Sequence, residues 1–188
     1  IESFLNIKKL SGNSNDYGEY WEVKTKNGKI YRLGYNIDSE AVSNHADYVW
    51  RWYLDEIKDV HDNKVYYEYE ENPFPEDIGA TYLSEIFYNN DRSRRIQFTL
   101  ESSRRPDIWS VFKQGHELKE SRRVVEIEIS ANRVIEKKYF LDYENIGNSQ
   151  KTFLTEITNI DLIINKRFFR NAFSLVFNGK IQNGHQAT

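Results

Sequence analysis

The sequence predicts an all-β fold: consecutive antiparallel β-hairpins forming an extended curved sheet, a shell segment with little helix. Three observations carry that expectation. Aromatic residues make up 15% of the 188, including thirteen Tyr and eleven Phe, and flat rings pack well on a pleated, half-buried surface. Short runs alternate with a period of two, as in Ile96, Phe98 and Leu100 against Gln97, Thr99 and Glu101. A string of the form apolar, variable, Glu, Ile recurs along the chain.

The string appears as Leu54-Asp55-Glu56-Ile57, Leu83-Ser84-Glu85-Ile86, Val124-Val125-Glu126-Ile127 and Leu154-Thr155-Glu156-Ile157. Its spacings are 29, 41 and 30 residues, too irregular for a regular solenoid. Each copy is expected to open a strand. Simple alternation then puts Leu54 and Glu56 on one face, and Tyr53, Asp55 and Ile57 on the other. A turn and a second strand follow the string. Asp62-Asn63 supplies turn chemistry before Val65–Tyr69, the connection 87–93 precedes Arg95–Leu100, and 128–133 precedes the strand from Val134 to Tyr143.

Upstream, Tyr20–Thr25 and Ile30–Gly34 flank Asn27-Gly28, a strong hairpin signal. The opening stretch Ile1–Leu10 is mixed and helix-compatible. Asp38–Asp47 reads as a loop or short helix, and Tyr48–Tyr53 as an aromatic strand running into the first string. Two prolines make 72–79 a loop, and 102–115 is a long inserted loop around Arg105-Pro106-Asp107. Past Ile160, residues such as Phe168, Phe169 and Phe173 form a last hairpin or an end cap, before a frayed tail from Asn178. The expected organisation is a lead-in over 1–19, a hairpin region over 20–160 and a terminal hairpin or cap over 161–188.

Composition narrows the chemistry. Without Cys there are no disulfides, thiolate metal sites or Cys nucleophiles. Without Met, even at position 1, the chain reads as a piece cut from a longer protein. No run of 18 apolar residues predicts a transmembrane helix, and no signal segment opens the chain. A net charge of −3, with 26 basic and 29 acidic residues, gives no clustered basic stripe for nucleic acid. His45, His61, His116 and His185 fall in expected loops or tail without metal-ligand spacing. Glu56, Glu85, Glu126 and Glu156 recur in four like settings, whereas a hydrolytic carboxylate pair needs two unlike ones. The expectation is therefore no enzyme, no cofactor and no metal. The candidate binding surface is aromatic: Trp50, Trp52, Tyr53, Tyr66 and Tyr67, which would offer carbohydrate or protein a platform if exposed.

One ordered series points further. It begins Trp50-x-Trp52-x-Leu54-x-x-Ile57-x-Asp59 and Val65-x-Tyr67-x-Tyr69. It continues through Tyr82-Leu83-x-x-Ile86, Ile96-x-Phe98, Arg105-Pro106-Asp107, Gly115, Arg122-Arg123 and Val124-x-x-Ile127. It ends in Tyr139-x-Leu141-x-Tyr143 and Phe153-Leu154-x-x-Ile157. Over residues 20–160 this resembles the N-terminal region of the SpvB-like and insecticidal toxin complex B proteins, related to the Rhs and YD-repeat proteins. The resemblance implies a secreted, extracellular bacterial protein in which such hairpins coil into a β-shell enclosing a polypeptide cargo. It implies as partners the rest of the same large protein and other toxin-complex subunits. The autoproteolytic motif and variable toxin domain of Rhs shells are absent from this sequence.

Overall fold

A computed structural model of the chain describes residues 4–42, 48–113, 115–145, 151–161 and 173–176. The strands are β1 (Asn6–Ser11), β2 (Glu19–Lys24), β3 (Ile30–Leu33), β4 (Glu40–Val42), β5 (Val49–Trp52), β6 (Leu54–Lys58), β7 (Lys64–Glu71) and β8 (Thr81–Tyr88). They continue with β9 (Arg94–Leu100), β10 (Trp109–Lys113), β11 (His116–Glu120), β12 (Val124–Ala131), β13 (Val134–Asn145), β14 (Thr152–Asp161) and β15 (Phe173–Val176). One 3-10 turn, Ile37–Ser39, is the helical element among the described residues. The fold is all-β.

Eleven strands form one sheet in the order β1-β2-β3-β6-β7-β8-β9-β12-β13-β14-β15. Every neighbouring pair is antiparallel, so the sheet is a meander. Its end strands β1 and β15 do not pair with each other, and the sheet stays open. β4–β5 and β10–β11 fold out of it as separate two-stranded hairpins. The expected long loop around Arg105 thus holds a hairpin of its own. From Asn6 the opening stretch is a strand, not helix: β1 pairs along its whole length with β2, because a cross-strand partner overrides weak local propensity.

The meander has two unlike rims. At one, which we call the turn rim, strands reverse through Thr25–Lys29, Asp59–Asn63, Asn89–Ser93 and Asn132-Arg133. These turns hold left-handed residues: Gly28 at φ +84°, Asp62 and Asn89 at +65°, Asn132 at +50° and Arg133 at +67°. At the other, the loop rim, the chain makes long connections over 12–18, 34–53, 72–80 and 101–123.

The recurring string has one structural meaning. All four copies lie on strands leaving the loop rim: β6, β8, β12 and β14. At each copy the register against the preceding strand of the sheet shifts by one residue. Leu54 and Glu56 face Leu33 and Arg32. Leu83 and Glu85 face Tyr69 and Glu68. Val124 and Glu126 face Leu100 and Thr99, and Leu154 and Glu156 face Tyr143 and Asp142. The variable residue, Asp55, Ser84, Val125 or Thr155, is the extra residue of a β-bulge. This corrects the simple alternation. Cross-strand partners share a face, and consecutive partner residues lie on opposite faces, so Leu54 and Glu56 lie on opposite faces. Two bulge hydroxyls bond back to the partner strand, Ser84 Oγ to Glu68 O at 3.0 Å and Thr155 Oγ1 to Asp142 O at 3.2 Å.

With the bulges counted, one face is mainly apolar and the other mainly charged, although Lys137 and Asp161 fall on the first and Phe87 and Phe140 on the second. One face carries rows such as Ile7–Val23–Tyr31–Ile57–Val65–Tyr88, Tyr67–Ile86–Ile96–Ile129 and Phe98–Ile127–Tyr139. The other carries Lys8–Glu22–Arg32–Glu56–Tyr66 and Glu68–Glu85–Gln97–Glu128–Lys138. None of the side chains in the three apolar rows is buried. Most buried positions lie instead at the loop rim, including Ser39, Glu40, Ala41, Trp50, Asp55, Asp77, Ala80, Tyr82, His116, Leu118 and Ser121, while Glu56 and Ser130 are buried within the main sheet. The consolidated part of the molecule is therefore a rim, not the middle of the sheet.

Candidate functional site

The loop rim is built from buried carboxylates that bind backbone amides and arginines. Asp55, fully buried at its bulge, accepts Arg32 Nε at 2.6 Å, Tyr35 N at 2.6 Å and Ser39 Oγ at 3.2 Å. The bulge aims this side chain away from the regular ladder and into the connection 34–53. Glu40 accepts the amides of Asp16 at 2.9 Å and Tyr17 at 3.2 Å, tying the 12–18 loop to β4. Asp38 accepts Tyr69 N at 2.9 Å. Burial is the main cause that pushes Asp38, Glu40 and Asp55 above the usual carboxylate range. Crowding by surrounding protein, with Asp38, Glu40 and Asp16 nearby, pushes Glu71 up to about 7 although its side chain still reaches solvent.

The same construction continues along the rim. Asp77 accepts Tyr82 Oη at 3.0 Å and Ser121 N at 2.9 Å. Ile78 and Lys119 exchange backbone bonds at 3.0 and 2.8 Å, stitching the 72–80 loop to β11. Glu101 takes Arg123 through two bonds, at 2.9 and 2.6 Å. Asp107 takes Arg105 the same way, at 2.8 and 3.1 Å, and accepts Thr152 N at 2.9 Å. The Arg105 guanidinium is the first cause holding the Asp107 carboxyl well below its ordinary range. Two tyrosines fasten the hairpins from the sheet side: Tyr69 Oη donates to Leu54 O and Tyr143 Oη to Val124 O, both at 2.8 Å. Leu54 and Val124 each begin a copy of the string.

The aromatic candidates do not form a single row. The expected continuous strand Tyr48–Tyr53 is broken at Tyr53, whose amide donates to Ser39 O at 2.7 Å, between β5 of the side hairpin and β6 of the main sheet. Trp50 is 9% exposed and stacks on His116, with centroids 5.4 Å apart and 21° between planes. Trp52 meets Trp21 edge to face at 5.8 Å and is half-buried against Gly34. Tyr53 packs 5.2 Å from Tyr69. Tyr66 lies on the polar face under the Arg92 guanidinium, 4.7 Å from its ring centroid, and Tyr67 on the apolar face opposite Ile86. These five rings serve five different packings.

His116 departs from the expectation of a solvated loop histidine. It opens β11, is 3% exposed, and bonds Tyr48 Oη through Nε2 at 2.7 Å. Tyr48 and Trp50 belong to the β4–β5 arm, so this ring clasps the two side hairpins together. Sequence reasoning missed it because the clasp joins residues 68 positions apart. His61 is exposed in its turn, and His45 and His185 lie outside the described residues. Of the string glutamates, Glu56 pairs with Lys64 at 3.3 Å, Glu85 with Arg95 at 2.8 Å and Glu126 with Lys138 at 2.6 Å. Glu156 accepts Thr158 Oγ1 at 3.4 Å. Among the described residues no three His, Asp or Glu side chains are arranged to hold a metal ion, and no helix is long and apolar enough to cross a membrane.

These features define a class: an open, single-sheet all-β scaffold with one consolidated rim and side hairpins clasped along it. Solved structures share that fold. The N-terminal domain of effector protein SpvB from Salmonella typhimurium strain LT2 matches with a TM-score of 0.69 and 17% identity, over 87% of this chain and 67% of that one. TcdB2-TccC3 matches with a TM-score of 0.73 and 11% identity, over 93% of this chain and 11% of that one. The Tc holotoxin pore of Photorhabdus luminescens matches with a TM-score of 0.65 and 12% identity, over 83% and 10%. At these identities the shared feature is the fold. This chain spans about two thirds of the SpvB domain and about a tenth of the Tc toxin chains. No family model and no curated protein matches it.

Proposed function

We infer that the chain is a non-catalytic wall segment of a secreted, toxin-complex-like β-shell that covers a polypeptide cargo. One observation carries the reading. The apolar face is continuous across the sheet, yet none of the side chains in its three rows is buried. A folded protein rarely leaves so broad an apolar surface half-exposed unless something covers it. The opposite face is charged and laced with cross-strand ion pairs, as a solvent-facing surface should be. The likeness in fold to chains of Tc toxin complexes supports a wall, and the sealed rim gives such a wall a firm border. Sugar binding through Trp50 and Trp52 is disfavoured, because both rings are spent on packing within the molecule.

Site-specific photocrosslinking in the intact parent protein tests this. A crosslinking amino acid at Phe98, on the apolar face, should capture polypeptide from the enclosed region of the same protein. The same group at Gln97, one residue away on the charged face, should capture none of it. Equal capture from both positions, or none from either, would overturn the wall reading.

A further inference from the structure

A second surface, at the turn rim, is independent of the wall reading. The turns Asn89–Ser93 and Asn132-Arg133 are neighbours, joined by Asn132 N–H donating to Ser93 O at 2.7 Å. Beneath them, on the charged face, lies a pocket of about 660 Å³. Arg92, Arg95, Arg133 and Asn132 line it, together with Asp91 and Glu128. Its cations have unspent capacity. Arg133 makes no ion pair among the described residues, and the Nε–H of Arg95 is buried without an acceptor. Arg92 is held in place by Glu68 and by the Tyr66 and Phe87 rings, 4.7 and 5.0 Å from its guanidinium. The two acids are already satisfied: Asp91 accepts Ser93 N at 3.0 Å, and Glu128 takes Lys138 at 3.0 Å.

Charge along the rim points the same way. Residues 24–30, 58–64, 88–95, 131–137 and 160–161 hold ten Lys and Arg against five Asp and Glu, in a chain whose net charge is −3. A rim of this sign draws an acidic partner by its long-range field. The fixed carboxylates of Asp91 and Glu128 select among acidic partners. They repel a dense row of phosphates but leave room for one carboxylate on a neutral backbone. Arginine donors suit that group, since the planar guanidinium matches a carboxylate edge to edge.

We propose that this pocket receives an Asp or Glu side chain of an acidic polypeptide laid against the charged face. The probe is a fluorescein-labelled decapeptide alternating Glu and Gly, titrated with the 188-residue chain and read by anisotropy at low and high salt. Saturable binding that weakens with salt is expected, and a Gln-for-Glu peptide should not bind. Arg133→Asn keeps a residue that tolerates the left-handed turn and should weaken binding about tenfold. Arg94→Gln removes the same charge from the same rim but outside this pocket, and should cost less than about twofold. Glu128→Gln removes a lining acid while Lys138 keeps Glu126, and should tighten binding. Equal losses from Arg133→Asn and Arg94→Gln would reduce the pocket to a diffuse field and overturn the proposal. So would absence of saturable peptide binding, or tighter binding of a DNA duplex or of phosphatidylserine vesicles.

Discussion

The two rims of one sheet solve chain reversal in different ways. Among the described residues the turn rim uses four short turns whose Asn, Asp and Gly residues adopt left-handed conformations, helped across the sequence by single bonds between neighbouring turns, Asn90 Nδ2 to Asp62 O and Asn132 N to Ser93 O. The loop rim spends long connections and side hairpins, and buries Asp55, Glu40, Asp77 and His116 to hold them. The difference lies in where specificity is stored. Turn-rim geometry is mostly local, so change in one turn should spread little beyond its neighbour. Loop-rim geometry is carried by side chains that bond across the sequence, so damage there should spread.

Asp55→Ala should give the largest effect. It removes the acceptor of Arg32, Tyr35 N and Ser39 Oγ at once and leaves the Arg32 guanidinium half-buried without its principal partner. Loss of one member of a buried pair costs about 3 kcal/mol or more. Urea denaturation followed by tryptophan fluorescence measures it, and a loss below about 1 kcal/mol would mean that the loop rim is not the seat of stability. Gly34→Ala should follow. Gly34 has φ +75°, and a Cβ there would collide with the Trp52 ring, so about 2 kcal/mol is expected from the same measurement.

How much of this was legible depended on whether the signal was local. Asn27-Gly28, Asp62-Asn63 and the connections 87–93 and 128–133 announced the turn rim, because a left-handed turn is chosen by the residues within it. The recurring string was visible too, but its meaning was not. Leu-x-Glu-Ile reads as plain alternation, and only the register against β3, β7, β9 and β13 shows that x is an extra residue. The loop rim was least legible. Nothing local distinguishes Asp55 from a solvated bulge residue, or His116 from a loop histidine, since their partners lie far along the chain. β1 was hidden for the same reason: its strand character comes from β2. Phe168, Phe169 and the tail lie outside the described residues.

Acidity offers a milder way to separate the rims. At the loop rim, burial raises Asp38, Glu40, Asp55 and Glu120, and surrounding protein with nearby acids raises the solvent-exposed Glu71 to about 7. A carboxyl raised by folding stabilises the fold fully below its unfolded value, here 4.5 for Glu71, and that contribution is lost as pH rises through about 7. At the turn rim, the Asn63 side chain lowers Asp59 and the Ser93 side chain lowers Asp91. Those contributions are complete above the ordinary value of 3.8 and vanish only as pH falls further. The melting temperature should therefore climb as pH is taken from about 8 to about 5. Glu71→Gln should flatten only part of the climb, because its side chain is exposed to solvent. A melting temperature that is level or falls over this range would show that the loop-rim carboxyls are not linked to folding.

The smallest effect is expected where the turn rim is most self-contained. Arg133 occupies a left-handed conformation at φ +67°, next to Asn132 at +50°. That conformation costs a residue with a side chain about 1–2 kcal/mol, which glycine escapes. Glycine in turn loses more freedom on folding, about 0.5–1 kcal/mol. Arg133→Gly should thus change stability by between about 0 and about 1.5 kcal/mol, in the direction of stabilisation. Because Arg133 has no ion pair among the described residues, no compensating bond is lost. If urea denaturation instead shows a loss as large as that of Gly34→Ala, the turn depends on its tertiary bonds, such as Asn132 N to Ser93 O. The contrast between a locally determined rim and a cooperatively held one would then fail at the turn chosen to display it.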